Sequence, residues 1–254
     1  MNPERLQLER IDTALRDWAC GLPAEEEVYP VLIGDDTLHR AEYDRAFPHL
    51  LMSAAASAAP GGGDLQPAGY YLSPAVCYHA YAAVEGRELQ LGVTLTARGR
   101  CFRNEETAQL RPGRRQIEFE MREVVFIGTR EWIEEELAPV MEDVSGLADS
   151  FGMEGAWEPA SDPFFLPSSE GRAAMQRLLG TKLEYCLPEA GGLAVASINR
   201  HGTFFGERFR ITAGDERPAH TACVAFGLDR WAAHAARHRE ISVRNLNPPL
   251  TTIP

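Results

Sequence analysis

The sequence predicts an α+β fold built on one mostly antiparallel sheet flanked by helices. Three segments, YYLSPAVCYHAYAAV, LQLGVTLTARGRCFR and RQIEFEMREVVFIGT, are rich in β-branched and aromatic residues and alternate partly with period two. Apolar residues at helical spacing open the chain and return after Thr129. Helices therefore precede, separate and follow runs of strands, where an α/β chain would alternate them one for one. At 254 residues, 44% apolar and 24% charged, the chain can bury roughly three quarters of its unfolded surface. A single catalytic-sized domain over residues 1–254 is expected.

In chain order, Leu6, Ile11, Leu15 and Trp18 predict a helix over residues 3–19, which GLPAEEEVYP breaks before a strand-like VLIG. AEYDRAFPHLLMSAAASA is apolar enough for a helix or an interface element bent at Pro48, and APGGGD after it reads as a surface loop. The three strand segments follow, the last two joined by an Arg-rich loop. Thr129 can cap a helix with Ile133, Leu137, Met141 and Val144 as its apolar stripe, kinked at Pro139. SSEGRAAMQRLLG predicts another helix, capped by Ser168 or Ser169. KLEYCLP, GLAVASIN and ERFRITA are further strand candidates, and HTACVAFGLDRWAAHAARHRE reads as a strand running into a closing helix.

No stretch approaches the eighteen apolar residues of a membrane span, and MNPERLQLERID is charged where a signal peptide needs an apolar core. A cytoplasmic protein with no membrane partner is expected. Five cysteines, an odd number, do not form a disulfide framework in a reducing compartment, which leaves metal ligation or burial. A net charge of −12 repels nucleic acid at long range and argues against a tRNA partner. The charge is uneven: residues 131–158 carry nine carboxylates and no Lys or Arg, whereas Arg230, Arg237, Arg239 and Arg244 cluster near the C-terminus.

Two stretches carry chemistry. If the strands on either side of the Arg-rich loop pair, Arg103 and Glu105 of CFRNEE and Phe119 and Glu123 of FEMRE project from one face. A guanidinium matches phosphate oxygens, a carboxylate accepts from an adenine amino group, and a phenyl ring stacks on the base. GLDRW puts Arg230 at the start of a helix after a glycine turn, where it can clamp a second phosphate. These stretches resemble motifs 2 and 3 of the class II aminoacyl-tRNA synthetases, and FPHLLMSA resembles their proline-bearing motif 1, which forms the dimer interface in that class. SPAVC, FEMRE, SINRHGTFFG and HTACVAFGLDR extend the likeness over residues 30 to 240. Within the class they resemble zinc-dependent, methanogen-type seryl-tRNA synthetases, and most closely their truncated relatives, the amino acid:carrier-protein ligases.

The resemblance implies a class II synthetase-like catalytic domain and a zinc ion held by Cys77, Glu123 and Cys223, with a position open for the α-amino group of the substrate. Two thiolates and a carboxylate suit zinc, and a three-ligand site with a vacancy is a substrate site. It further implies that ATP and Mg²⁺ activate a small amino acid, glycine or alanine, which then passes to the phosphopantetheine thiol of a carrier protein. Arg103 and Arg230 are the catalytic candidates, acting by positioning and charge neutralisation. Where ordinary seryl-tRNA synthetases carry an acidic magnesium ligand this chain reads AVASINRH, so Ser197 and Asn199 are the candidates for nucleotide contact there, and Glu184 of KLEYCLP is a more distant candidate for magnesium or amine contact. About thirty residues precede the first strand, too few for a tRNA-gripping helical hairpin, so no tRNA is expected and a homodimer is. The rival readings are another acceptor, tRNA or a small amine, and a catalytically silent paralogue. A buried strand cysteine otherwise packs as a small hydrophobe, the reading kept for Cys20, Cys101 and Cys186. His201 reads as a structural histidine, and Arg111, Arg114 and Arg115 either as a solvated loop or as contacts to ATP or the acceptor.

Overall fold

The computed structural model describes residues 3–57, 62–160, 181–215 and 217–235. Seven strands form the main sheet: β1 (Glu25–Glu27), β6 (Gly92–Phe102), β7 (Glu118–Gly128), β8 (Ala156–Pro159), β9 (Lys182–Leu187), β10 (Leu193–Gly202) and β13 (His220–Gly227). Their order is β1-β6-β7-β13-β10-β9-β8. Every pairing is antiparallel except the short parallel β1 on β6. Two three-stranded sheets accompany it: β2 (Leu32–Gly34) and β3 (Ser53–Ser57) on either side of β4 (Leu65–Leu72), and β5 (Glu88–Leu89), β11 (Thr212–Ala213) and β12 (Arg217–Pro218). The mostly antiparallel α+β architecture is as expected.

Side-chain period two divides the main sheet into two faces. On β7 and β13 the even positions Val124, Phe126, Ala222, Val224 and Phe226 bury against helices α1 (Pro3–Gly21), α5 (Arg130–Leu137), α6 (Val140–Ser150) and α8 (Leu228–His234). The odd positions Val125, Ile127 and Cys223 join a second core with α4 (Cys77–Ala83) and α7 (Phe204–Arg208). Each large aliphatic or aromatic side chain so buried contributes about 1.5–3 kcal/mol. Leu8, Ile11, Leu15 and Ala19 form the buried stripe of α1, while Leu6 and Cys20 are exposed. Beyond the apolar stripe, Arg98 and Arg122 of β6 and β7 reach Glu9 and Asp12 of α1. Among the described residues no helix is long and apolar enough to cross a membrane.

Several local expectations change. The segment from Ser73 was read as strand, but β4 ends at Leu72 before Pro74, and Cys77, Ala80, Tyr81 and Val84 bury with helical spacing as α4 and its cap. ERFRITA yields the end of α7 and only two strand residues. Pro139 divides the helix after Thr129 into α5 and α6 instead of kinking it, so Val140 is buried where Met141 was expected and Met141 is 37% exposed. Thr129 does cap α5, its Oγ1 accepting from Trp132 N–H at 3.3 Å. The GLPAEEEVYP break contains β1. Residues 35–57 form two short helices, α2 (Asp35–Arg40) and α3 (Tyr43–Ala46), then a turn at Pro48–Leu50 and strand β3. The expected helix in SSEGRAAMQRLLG lies outside the described residues.

Candidate metal and nucleotide site

Cys77, Glu123 and Cys223 come from three places in the chain. Cys77 opens α4, Glu123 lies inside β7, and Cys223 lies on β13, opposite Val125. Because 123 and 223 are odd positions, both point to the α4 side of the sheet, where the first turn of α4 delivers the third group. One donor atom from each residue lies within 4.8 Å of the other two, and all three residues are buried. Val76 N–H donates to Glu123 Oε1 at 2.9 Å.

The electrostatics of this triad are those of acidic groups crowded out of water. Burial, then the neighbouring Cys223, pushes the Glu123 carboxyl up to about 8. The Cys223 thiol is held well below its ordinary range, by Cys77 first and then by His201 and Asn199. The pairing with Cys223, then burial, pushes the Cys77 thiol up. Three such groups stay ionised together only around a cation, and two sulfurs with one carboxylate oxygen fit zinc.

Strand β10 lines the cage on its other side. Asn199, opposite Cys223 in register, donates from Nδ2 to Cys223 Sγ at 3.5 Å and to Ser197 Oγ at 3.2 Å. His201 Nδ1 lies 3.4 Å from both Tyr81 Oη and Thr221 Oγ1. Tyr81, fully buried on α4, stacks on Phe205 with centroids 4.3 Å apart. Asn199 thus joins Ser197 to a cage sulfur. Sequence reasoning missed Tyr81 and the cage contact of His201; the spacing Cys77, Ala80, Tyr81, Val84 was the available signal for Tyr81.

The arginines lie further along the same sheet. Arg103 follows β6; its Nε donates to the Pro74 carbonyl at 3.2 Å and its guanidinium lies 5.2 Å from the Phe119 ring centroid. Arg230, in the first turn of α8, donates from Nε to the Arg114 carbonyl at 2.8 Å and from Nη1 to the Ala194 carbonyl at 2.7 Å. Burial, then the charge of Arg103, lowers the Arg230 guanidinium. Among the described residues neither guanidinium has a carboxylate within ion-pairing distance, although both are partly buried. Two such cations near one another suit a polyanion. Glu105 instead accepts from Arg115 Nη1 at 2.8 Å. Arg114 reaches the Ala190 carbonyl, Arg111 bonds within its own loop, and Glu184 lies 3.3 Å from Lys182 Nζ.

No family model matches the chain. Amino acid–acyl-carrier-protein ligases 1 and 2 of Bradyrhizobium diazoefficiens are each 33% identical to it over 225 residues, 80% of this chain and 68% and 66% of theirs. A type-2 serine–tRNA ligase of Methanocaldococcus jannaschii is 32% identical over 179 residues, 66% of this chain and 34% of that protein. Among solved structures, a chain from the complex of A. aeolicus tRNASec with M. kandleri SerRS superposes with a TM-score of 0.74 at 22% identity, covering 91% of this chain and 51% of that one. The fold is therefore that of a class II aminoacyl-tRNA synthetase catalytic domain. Within that class the chain belongs to the amino acid–acyl-carrier-protein ligase family, and it is a ligase.

Proposed function

We propose that this ligase activates a small amino acid, glycine or alanine, with ATP and transfers it to the phosphopantetheine thiol of a carrier protein. The observation that carries the reading is the joint presence, along one sheet, of the buried Cys77–Glu123–Cys223 triad and of two guanidinia without carboxylate partners among the described residues. Cys77, Glu123 and Cys223 would hold zinc, which when bound supplies an open coordination position for a neutral amine. The substrate carboxylate oxygen attacks the α-phosphorus of ATP and pyrophosphate leaves. The pantetheine sulfur then attacks the carbonyl carbon of the adenylate, its proton is lost, and AMP leaves.

Arg103 and Arg230 neutralise the phosphate oxygens alongside Mg²⁺ in the first step, and Phe119 offers its ring to the adenine. In this reading Glu105 and the Ser197–Asn199 pair complete the set of nucleotide contacts. A homodimer through the FPHLLMSA element and a cytoplasmic setting that keeps both thiols reduced complete the reading.

Intact-mass measurement of a holo carrier protein incubated with the enzyme, ATP and glycine or alanine tests it. A mass gain of one aminoacyl group on the holo carrier but not on the apo form is expected. Arg103→Ala should slow pyrophosphate exchange on the order of 10²–10³-fold. Equal charging of the apo carrier, or charging of tRNA instead, would refute the acceptor.

A further inference from the structure

Strands β10 and β13 pair residue for residue up to Arg200 opposite Ala222, and the next pair is Gly202 opposite Thr221. His201 is therefore the extra residue of a β-bulge, and Gly202 beside it takes φ +57°, a conformation glycine adopts without steric cost. Bulges interrupt the ladder and re-aim a side chain, and they gather next to active sites. Here the ring of His201 lies edge-on to Phe205, with centroids 4.9 Å apart, and to Tyr81 at 6.2 Å. Its Nδ1 sits between the hydroxyls of Tyr81 and Thr221, and after Cys77 it is among the groups that hold the Cys223 thiol low. Asn199 reaches the same sulfur, steadied by Ser197 Oγ. Yet His201 is not one of the three residues whose donor atoms converge within 4.8 Å. Asn199 and His201 thus lie against one ligand of the cage without entering it.

We propose that Asn199 and the bulged His201 are positioning residues that donate N–H hydrogen bonds to the Cys223 thiolate, fixing its orientation and drawing charge from its sulfur. This rests on the zinc reading of the site. A metal bound to a sulfur so depleted is a stronger acid toward an amine than one bound to a bare thiolate. Groups behind the ligands orient them in this way, and their loss commonly weakens metal binding about 10–100-fold.

Cobalt substitution tests the proposal without recourse to activity. Wild-type protein, Asn199→Ala, His201→Phe and His201→Gln are loaded with Co²⁺, the thiolate-to-metal charge-transfer band is recorded, and zinc Kd is measured by chelator competition. In Asn199→Ala and His201→Phe the band should move to longer wavelength, because a sulfur without its hydrogen bond gives up an electron more readily, and Kd should rise about 10–100-fold. His201→Gln, which keeps an N–H, should return both toward wild type. An unmoved band and unchanged Kd in both removal variants, with wild-type circular dichroism, would overturn the proposal while leaving the zinc site standing. A wild-type protein that binds neither metal would overturn the zinc reading, and this inference with it. Should His201→Phe fail to fold, Asn199→Ala decides.

Discussion

Arg122 shows how much one side chain can hold. It is 2% exposed, and its guanidinium reaches Asp12 Oδ1 at 2.6 Å and, each at 3.2 Å, Asp12 Oδ2, Thr96 Oγ1 and Glu26 Oε1. Removing one partner of a buried pair strands the other away from water, so Arg122→Ala should cost about 3–5 kcal/mol in urea unfolding. Adding Asp12→Ala should cost less than the two single losses summed, since the stranded carboxylate is then gone; strict additivity would show that the pair is not coupled. Residue parity was legible in FEMRE: Phe119 and Glu123 share a face, and Arg122 must take the other. The partner of Asn199 was not legible, because it depends on the register of β10 against β13, which no residue of SINRHG encodes alone.

At the scale of elements, two helical glycines make opposite predictions. Gly146 lies in α6 with nothing within 4 Å of an added Cβ, so Gly146→Ala should stabilise by about 0.8–1 kcal/mol through backbone entropy. Gly206 lies in α7, where a Cβ would sit 2.0 Å from the Ala219 carbonyl oxygen. There the clash exceeds the same gain, and Gly206→Ala should destabilise by about 1–3 kcal/mol. Thermal melts of the two variants should move in opposite directions; equal shifts would mean that α7 does not press on the strand before β13. The helix–strand error at residues 70–84 has a similar origin. Tyr, Val and Cys favour strands on average, but Cys77, Ala80, Tyr81 and Val84 share one buried helical face, and that burial overrides propensity.

For the whole molecule, the triad links metal, pH and stability. Without metal, the Glu123 carboxyl at about 8 is raised from its ordinary 4.5. A raised carboxyl leaves stability intact below the unfolded value and removes it as pH climbs through the folded value. The gain in melting temperature on adding zinc should therefore grow from about pH 5 to pH 8, since Glu123, raised in the metal-free protein, must lose its proton to bind. Scanning calorimetry with and without chelator measures this; a zinc-dependent shift that stays the same or shrinks toward pH 8 would contradict it. Cys77→Ser should abolish most of the zinc-dependent gain.

By itself the sequence determined the fold class, the shared face of Phe119 and Glu123 and the groups proposed to do chemistry, because period-two burial and side-chain chemistry are local properties. The tertiary structure alone decided that α4 brings Cys77 to Glu123 and Cys223, that Arg103 and Arg230 have no carboxylate partner among the described residues, and that a bulge sets His201 against the cage. Those outcomes depend on which strands pair and in what register, and pairing is set by burying both sheet faces at once across segments far apart in the chain, Cys77 and Cys223 themselves being 146 residues apart.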